Sequence, residues 1–207
     1  MSQLISLRDR KRAETWSALH GAASDLALNH GLESVTIEAV AAAAGVSTRT
    51  FFNYFPSKED AVLGLQEPSV EESMLADFDV EADLLEQVSY LMLGVMQSIQ
   101  GGESGEIRHA ILHKYPHLMH RRFQYVRKVE ELVAGIVTER LAASHRWASH
   151  PEPGYSVEDV ARTIVMVAGA GLRNVMQKTI SSPTRESQFE ALDQGLDLMR
   201  IVLKELL

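Results

Sequence analysis

Apolar side chains recur at three- and four-residue intervals along nearly the whole chain, and each stretch that keeps this period predicts a helix. Trp16, Leu19, Ala23 and Leu26 place a helix over Arg8 to His30, ended by Gly31. Ile37, Val40, Ala41 and Ala44 form a short helix that Thr36 can cap and Gly45, tolerant of positive φ, can end. Val46 reads as an apolar plug, and Ser47 caps the next helix. There Phe51, Tyr54 and Phe55 share an inner face, while Thr48, Arg49, Phe52 and Asn53 share an outer one. Pro56 stops it, and Ser57 caps a helix running to about residue 66, with Asp60 completing a short capping box.

The second part of the chain continues the period. After an acidic, partly helical segment from Ser69 to Asp83, Leu84, Val88, Leu91, Val95 and Ile99 line one face of a helix that Gly101, Gly102 and Gly105 end. A shorter helix spans about Glu106 to Lys114, stopped before Pro116. A long one runs from Pro116 to Ser144, with Phe123, Val126, Val129, Val133, Ile136 and Val137 inward. His150 to Gly154 is a loop. Ser156 and Asp159 cap the next helix, whose centre, Ile164 to Leu172, is apolar on every side and is expected to be buried all round. Ala168, Gly169, Ala170 and Gly171 would admit another backbone. The last helix, Glu186 to Leu207, carries one stripe of Phe189, Leu192, Leu196, Met199, Leu203 and Leu206, and a second of Ala191, Gly195, Leu198 and Val202. One stripe can face its own core and the other a second copy, so a homodimer through the last two helices is expected. The pattern holds no β signal and predicts an all-α fold.

Composition narrows the function. The 207 residues contain no cysteine, which excludes disulfides, zinc–thiolate sites and thiol catalysis. Hydrophobic content is 45%, ordinary for a globular protein, and the longest apolar run is half of a membrane span. No signal-peptide pattern opens the chain, so a cytoplasmic location without membrane contact is expected. Net charge is −8. Residues 1–60 hold six Lys/Arg against seven Asp/Glu, so the acidity lies mostly beyond them. Four of those positives, Arg8, Arg10, Lys11 and Arg12, crowd where the first helix begins, either as a solvated helix end or as phosphate contacts.

A short helix, a glycine turn and a helix with an Arg/Thr/Asn outer face describe a helix-turn-helix. Arg49 can read guanine and Asn53 adenine in the major groove. Ser47 and Thr50 suit phosphate or cap roles, and Thr36 and Lys58 would clamp the backbone on either side. Tyr54 belongs either to the core or to a phosphate contact. With so few positive charges, tight binding needs neutral donors and a second copy of the domain.

Thr36-Ile37, Val40-Ala41, Ala44-Gly45-Val46-Ser47, Phe51 to Phe55 and Pro56-Ser57-Lys58-Glu59 together resemble the DNA-binding domain of the TetR (tetracycline-repressor-like) family of bacterial transcription regulators. The remainder is similar in helix number and length. One position departs: the family usually has Tyr where Phe52 stands, and its hydroxyl reaches a phosphate, so Phe52 offers packing alone. The resemblance implies a three-helix helix-turn-helix domain over residues 1–56 and a larger helical effector-binding and dimerisation domain over 57–207. It also implies a palindromic double-stranded DNA operator, repression, and release by a small-molecule effector.

An apolar or amphipathic effector is expected between the helices that begin near Leu84, Glu106, Pro116 and Ser156. Met92, Met96, Met119, Met166 and Met176 lie there, and methionine adapts to irregular cavities. Tyr90, His109, His113 and Asn174 are sparse polar groups that could orient a ligand, and Arg173 could pair with a carboxylate. His109, His113, His117 and His120 also raise an alternative, metal-responsive reading. Pro116 interrupts their spacing, however, and no carboxylate cluster completes a site. A helical-bundle enzyme is the other alternative, and no phosphate loop, nucleophile elbow or His-Glu-x-x-His supports it. No cofactor or metal is expected.

Overall fold

The computed structural model describes residues 7–99, 105–149, 154–178, 185–202 and 204, with side chains omitted at 174–178, 185 and 186. These residues form eleven α-helices and no β-strand: α1 Leu7–His30, α2 Ile37–Ala43, α3 Thr48–Phe52, α4 Lys58–Leu63, α5 Glu72–Ala76, α6 Leu84–Ser98, α7 Gly105–Lys114, α8 Met119–Ala142, α9 His145–Ser149, α10 Val157–Lys178 and α11 Arg185–Ile201. Two packing units result. One comprises Met1–Gln66 with Gln100–Phe123, the other Glu67–Ile99 with Gln124–Leu207.

In the first unit α1 packs against α2, α4 and α7. Leu19, Ala23 and Ala27 of α1 join Val35, Val40, Phe51, Phe55, Ala61, Val62 and Leu63 in a core without solvent exposure. Trp16 lies against Phe55, ring centroids 5.7 Å apart, and closes one edge of this core. The capping residues read from the sequence act as expected. The side chains of Thr36, Ser47 and Ser57 each accept the backbone N–H three residues ahead. Helix α4 is shorter than its apolar pattern suggests, ending at Gly64 with φ 60°. A Cβ there would stand 2.8 Å from the imidazole of His20, so glycine is required both for the turn and for the close approach.

The second unit is built on α6, α10 and α11, with α5 against α6. Val88, Leu91, Met92, Val95 and Met96 of α6 are buried, as are Val165, Ala168 and Leu172 of α10 and Leu192 and Leu196 of α11. Asp83 caps α6 and Ser156 caps α10, the latter in a reciprocal box with Asp159. Three expectations change along α8, α9 and α10. Phe123 is 53% exposed, because α8 buries the four-residue series Tyr125, Val129, Val133, Val137 and Leu141, which leaves Phe123 outside it. The helix expected over Pro116 to Ser144 is regular only over Met119–Ala142, with a tighter turn over Pro116–Leu118 before it, and α9 follows, where Glu81 accepts the N–H groups of His145 and Arg146. Helix α10 is not buried all round, since Met166 is 63% exposed and Ala170 is exposed.

Both glycines of α10 are approached from within the chain. A Cβ on Gly171 would meet Met199 of α11 at 2.4 Å, and one on Gly169 would meet the Glu130 carboxylate of α8 at 3.0 Å. The second stripe of the last helix divides: Gly195 is buried and Ala191 half-buried, while Leu198 and Val202, with Ile201 beside them, are exposed. Gly101, Gly102, residues 150–153, Leu203 and Leu206 lie outside the described residues.

Candidate nucleic-acid interface

The turn between α2 and α3 is a helix C-cap with both of its expected hydrogen bonds. Gly45, at φ 68°, donates its N–H to Ala42 O at 3.1 Å, and Val46 donates to Ala41 O at 2.9 Å. The chain thereby reverses in three residues and enters α3 at Ser47. The Ser47 hydroxyl accepts the Thr50 N–H at 3.1 Å and lies 2.9 Å from the Thr50 hydroxyl, so both side chains serve the cap.

Phe51 is fully buried and anchors α3. One turn of helix then sends Thr48, Arg49, Phe52 and Asn53 to the opposite, exposed side, as their spacing predicts. The regular helix ends at Phe52 rather than continuing to Phe55, and Tyr54 and Phe55 both donate N–H to Phe51 O at 2.9 Å. Tyr54 is half-buried, with the Arg12 guanidinium 5.7 Å from its ring centroid. The ring of Tyr54 therefore packs against Arg12 while its edge borders open space.

That space is a groove of about 700 Å³ between the start of α1 and α3, lined by Leu7, Arg8, Lys11, Arg12, Thr15, Thr50, Asn53 and Tyr54. Three cations and several neutral donors on one concave surface, with no carboxylate among them, suit a polyanion. Thr36 is exposed at the start of α2. Lys58 is half-buried at the start of α4, its ammonium 3.5 Å from Leu32 O.

Behind this face, polar side chains hold α4 at both ends, and beyond the Ser57–Asp60 cap the sequence pattern did not reveal them. Asp60 is fully buried; Arg121 donates Nε–H to its Oδ1 and Nη2–H to its Oδ2, each at 2.7 Å, and the Ser57 hydroxyl donates to Oδ2 at 2.7 Å. At the other end three successive carbonyls are taken. His20 Nδ1 donates to Ala61 O at 2.7 Å, the Ser24 hydroxyl lies 3.3 Å from Val62 O, and Arg108 Nε donates to Leu63 O at 2.8 Å. Burial holds the His20 pKa below its ordinary value against the opposing effect of the Ala61 carbonyl, and the Arg108 charge lowers it further. Burial, with some repulsion from Arg122, pushes the Arg108 guanidinium down to about 10. The Tyr115 hydroxyl ties α7's far end to α1 through Ala27 O at 2.7 Å.

The residues expected to meet an effector are divided between the two units. His109 and His113 lie on the exposed side of α7, because Arg108, Ile111 and Leu112 take its buried positions. Met119 is half-buried in the same unit. Met96 is buried in the second unit, whereas Met166 faces outward over an open groove between α8 and α10. Tyr90 is engaged: its ring stacks on Phe189 at 5.8 Å and its hydroxyl donates to Asp193, which pushes its pKa up to about 12, burial adding to the effect. Arg173 donates to Glu130 at 3.1 Å. The side chains of Asn174 and Met176 lie outside the described residues. Among the described residues no group of three or more His, Asp or Glu is placed to hold a metal ion, and no helix is long and apolar enough to cross a membrane.

An all-helical chain with a capped α2–turn–α3 and a polar outer face on α3 is a helix-turn-helix protein. Residues 20–63 match the model for bacterial regulatory proteins of the tetR family, so this segment is similar to the proteins of that family. The HTH-type transcriptional regulator TcmR of Streptomyces glaucescens is 31% identical over 133 residues, which cover 61% of this chain and 58% of that protein. The chain thus aligns with little more than half the length of that relative. Among solved structures, a tetR-family transcription regulator from Shewanella sp. PV-4 shares 19% identity at a TM-score of 0.43, covering 89% of this chain and 95% of its own. The ketosteroid transcriptional regulator KstR2 of Mycobacterium tuberculosis shares 19% identity at a TM-score of 0.36, covering 91% and 92%. By their names, all three are regulators of transcription.

Proposed function

We propose that the chain is a cytoplasmic, homodimeric transcriptional repressor that lays α3 in the major groove of a palindromic operator. The observation that carries this reading is the exposed Thr48, Arg49, Phe52 and Asn53 face beside the basic groove of Arg8, Lys11 and Arg12. Bases would be read by Arg49 and Asn53. Phosphates would be held by Thr36, Ser47, Thr50, Tyr54 and Lys58 together with the start of α1. Leu198, Ile201 and Val202, one exposed patch of α11, and Met166 with Ala170 on α10 supply apolar surface for the second copy.

An apolar or amphipathic molecule binding within the second unit, where Met92 and Met96 can adapt to it, would release the DNA. It must favour a conformer in which the two α3 helices no longer match the half-sites, and DNA must then weaken its binding by the same factor. The test incubates purified protein with a random-sequence duplex library and sequences what is retained. A palindrome with half-sites about one helical turn apart is the expected product. A retained pool identical to the input would refute the reading. A thermal-shift screen of hydrophobic compounds, followed by DNA-release assays, tests the effector class.

A further inference from the structure

We propose that Phe52 is a base-reading residue that seats against the C5-methyl group of a thymine; the proposal rests on the DNA-binding reading above. Phe52 is 55% exposed, an unusual state for a phenyl ring on an otherwise polar helix face. It shares that face with Thr48 and Arg49, one turn before it, and with Asn53. Its orientation is fixed from behind. The ring stands edge-on to Phe51, with centroids 5.6 Å apart and planes at 88°, and Phe51 is itself fully buried. The phenyl group is therefore presented on a rigid base rather than on a loose side chain.

What can cover such a ring on this face is limited by chemistry. A phosphate would lose hydration to a group that donates no hydrogen bond. The base edges of the major groove offer hydrogen-bond donors and acceptors, with one apolar group among them, the thymine methyl. The cations of the neighbouring groove and Arg49 bring the surface to DNA, so a phenyl ring between Arg49 and Asn53 meets base edges and gains most from that methyl. The ring itself then carries the sequence preference.

The test uses the duplex recovered by library selection and replaces its thymines one at a time, in both half-sites together, by deoxyuridine, which removes the methyl alone. For the wild type, one such pair should weaken binding about fifteenfold, since each buried methyl is worth about fourfold. Phe52→Ala should reduce that penalty to less than about twofold, and Phe52→Tyr, which keeps the ring, should retain it. Circular dichroism checks that both variants fold. Equal wild-type affinity for every substituted duplex overturns the proposal, as does a penalty in Phe52→Ala equal to that of the wild type. If the wild type retains no duplex from the library at all, the DNA-binding reading fails and this proposal falls with it.

Discussion

Replacing Arg121 by methionine should destabilise the first unit by about 3 kcal/mol. Asp60 has no solvent exposure, and its two oxygens accept two guanidinium N–H groups at 2.7 Å. Without Arg121 the carboxylate keeps the Ser57 hydroxyl and loses its counter-charge. Removing one member of a buried pair costs about 3–5 kcal/mol, because the other charge is left uncompensated. The low end applies here, since the Arg121 side chain is 32% exposed and water screens part of the pair. The assay is urea unfolding followed by Trp16 fluorescence in a Trp147→Phe background, which leaves Trp16 as the sole tryptophan. Trp16 packs on Phe55 and His20, so its emission reports this unit. At an m-value of about 2 kcal/mol per molar, the midpoint should fall by about 1.5 M. Asp60→Asn combined with Arg121→Met removes both charges and should recover at least about half of the loss. A single variant costing under about 0.5 kcal/mol, or a double variant no better than the single, refutes the reasoning.

Three further outcomes follow from the same geometry. Because burial lowers the His20 pKa, the unfolded chain binds that proton more readily; stability is full above about pH 6.5 and falls as pH drops through it, by at most about 1.4 kcal/mol per unit. Urea midpoints at pH 7.5 and 5.5 should differ more for the wild type than for His20→Gln. Leu198→Glu with Met166→Glu should give a folded monomer by analytical ultracentrifugation, since both side chains are exposed in the single chain; a persistent dimer would place the interface elsewhere. Arg49→Ala should alter base preference at one position of the selected site, at about 1–3 kcal/mol, whereas Lys58→Ala should weaken all sequences alike and reduce the salt slope by about one.

The parts of the fold legible in the sequence are those set within a few residues. Thr36, Ser47, Ser57 and Ser156 cap as read, because a cap joins a side chain to an N–H three positions away. The outer face of α3 follows from the helical period once Phe51 is buried. Period alone says which positions align, not which of them meet the core. On α7 a charged residue, Arg108, takes a buried position to reach the Leu63 carbonyl, and the two histidines turn outward as a result. Phe123 fails for a related reason, since the four-residue series begun by Tyr125 fixes how α8 is rotated. The Asp60–Arg121 pair joins residues 61 positions apart, and nothing local to either announces the other.

Helix α4 draws its closing groups from residues far downstream, and this has a consequence for synthesis on the ribosome. The chain leaves the first unit at Gln66 and rejoins it at Gln100, so Arg108 and Arg121 are translated after a long excursion into the other unit. When Gln66 emerges, Asp60 has no counter-ion and the Leu63 carbonyl has no donor from α7. At about 5–20 residues per second, the 57 residues from Gln66 to Phe123 take roughly 3–11 s to add. For that interval the nascent helix-turn-helix carries an unpaired carboxylate where its core should close, and it is most open to proteases and most in need of chaperone cover.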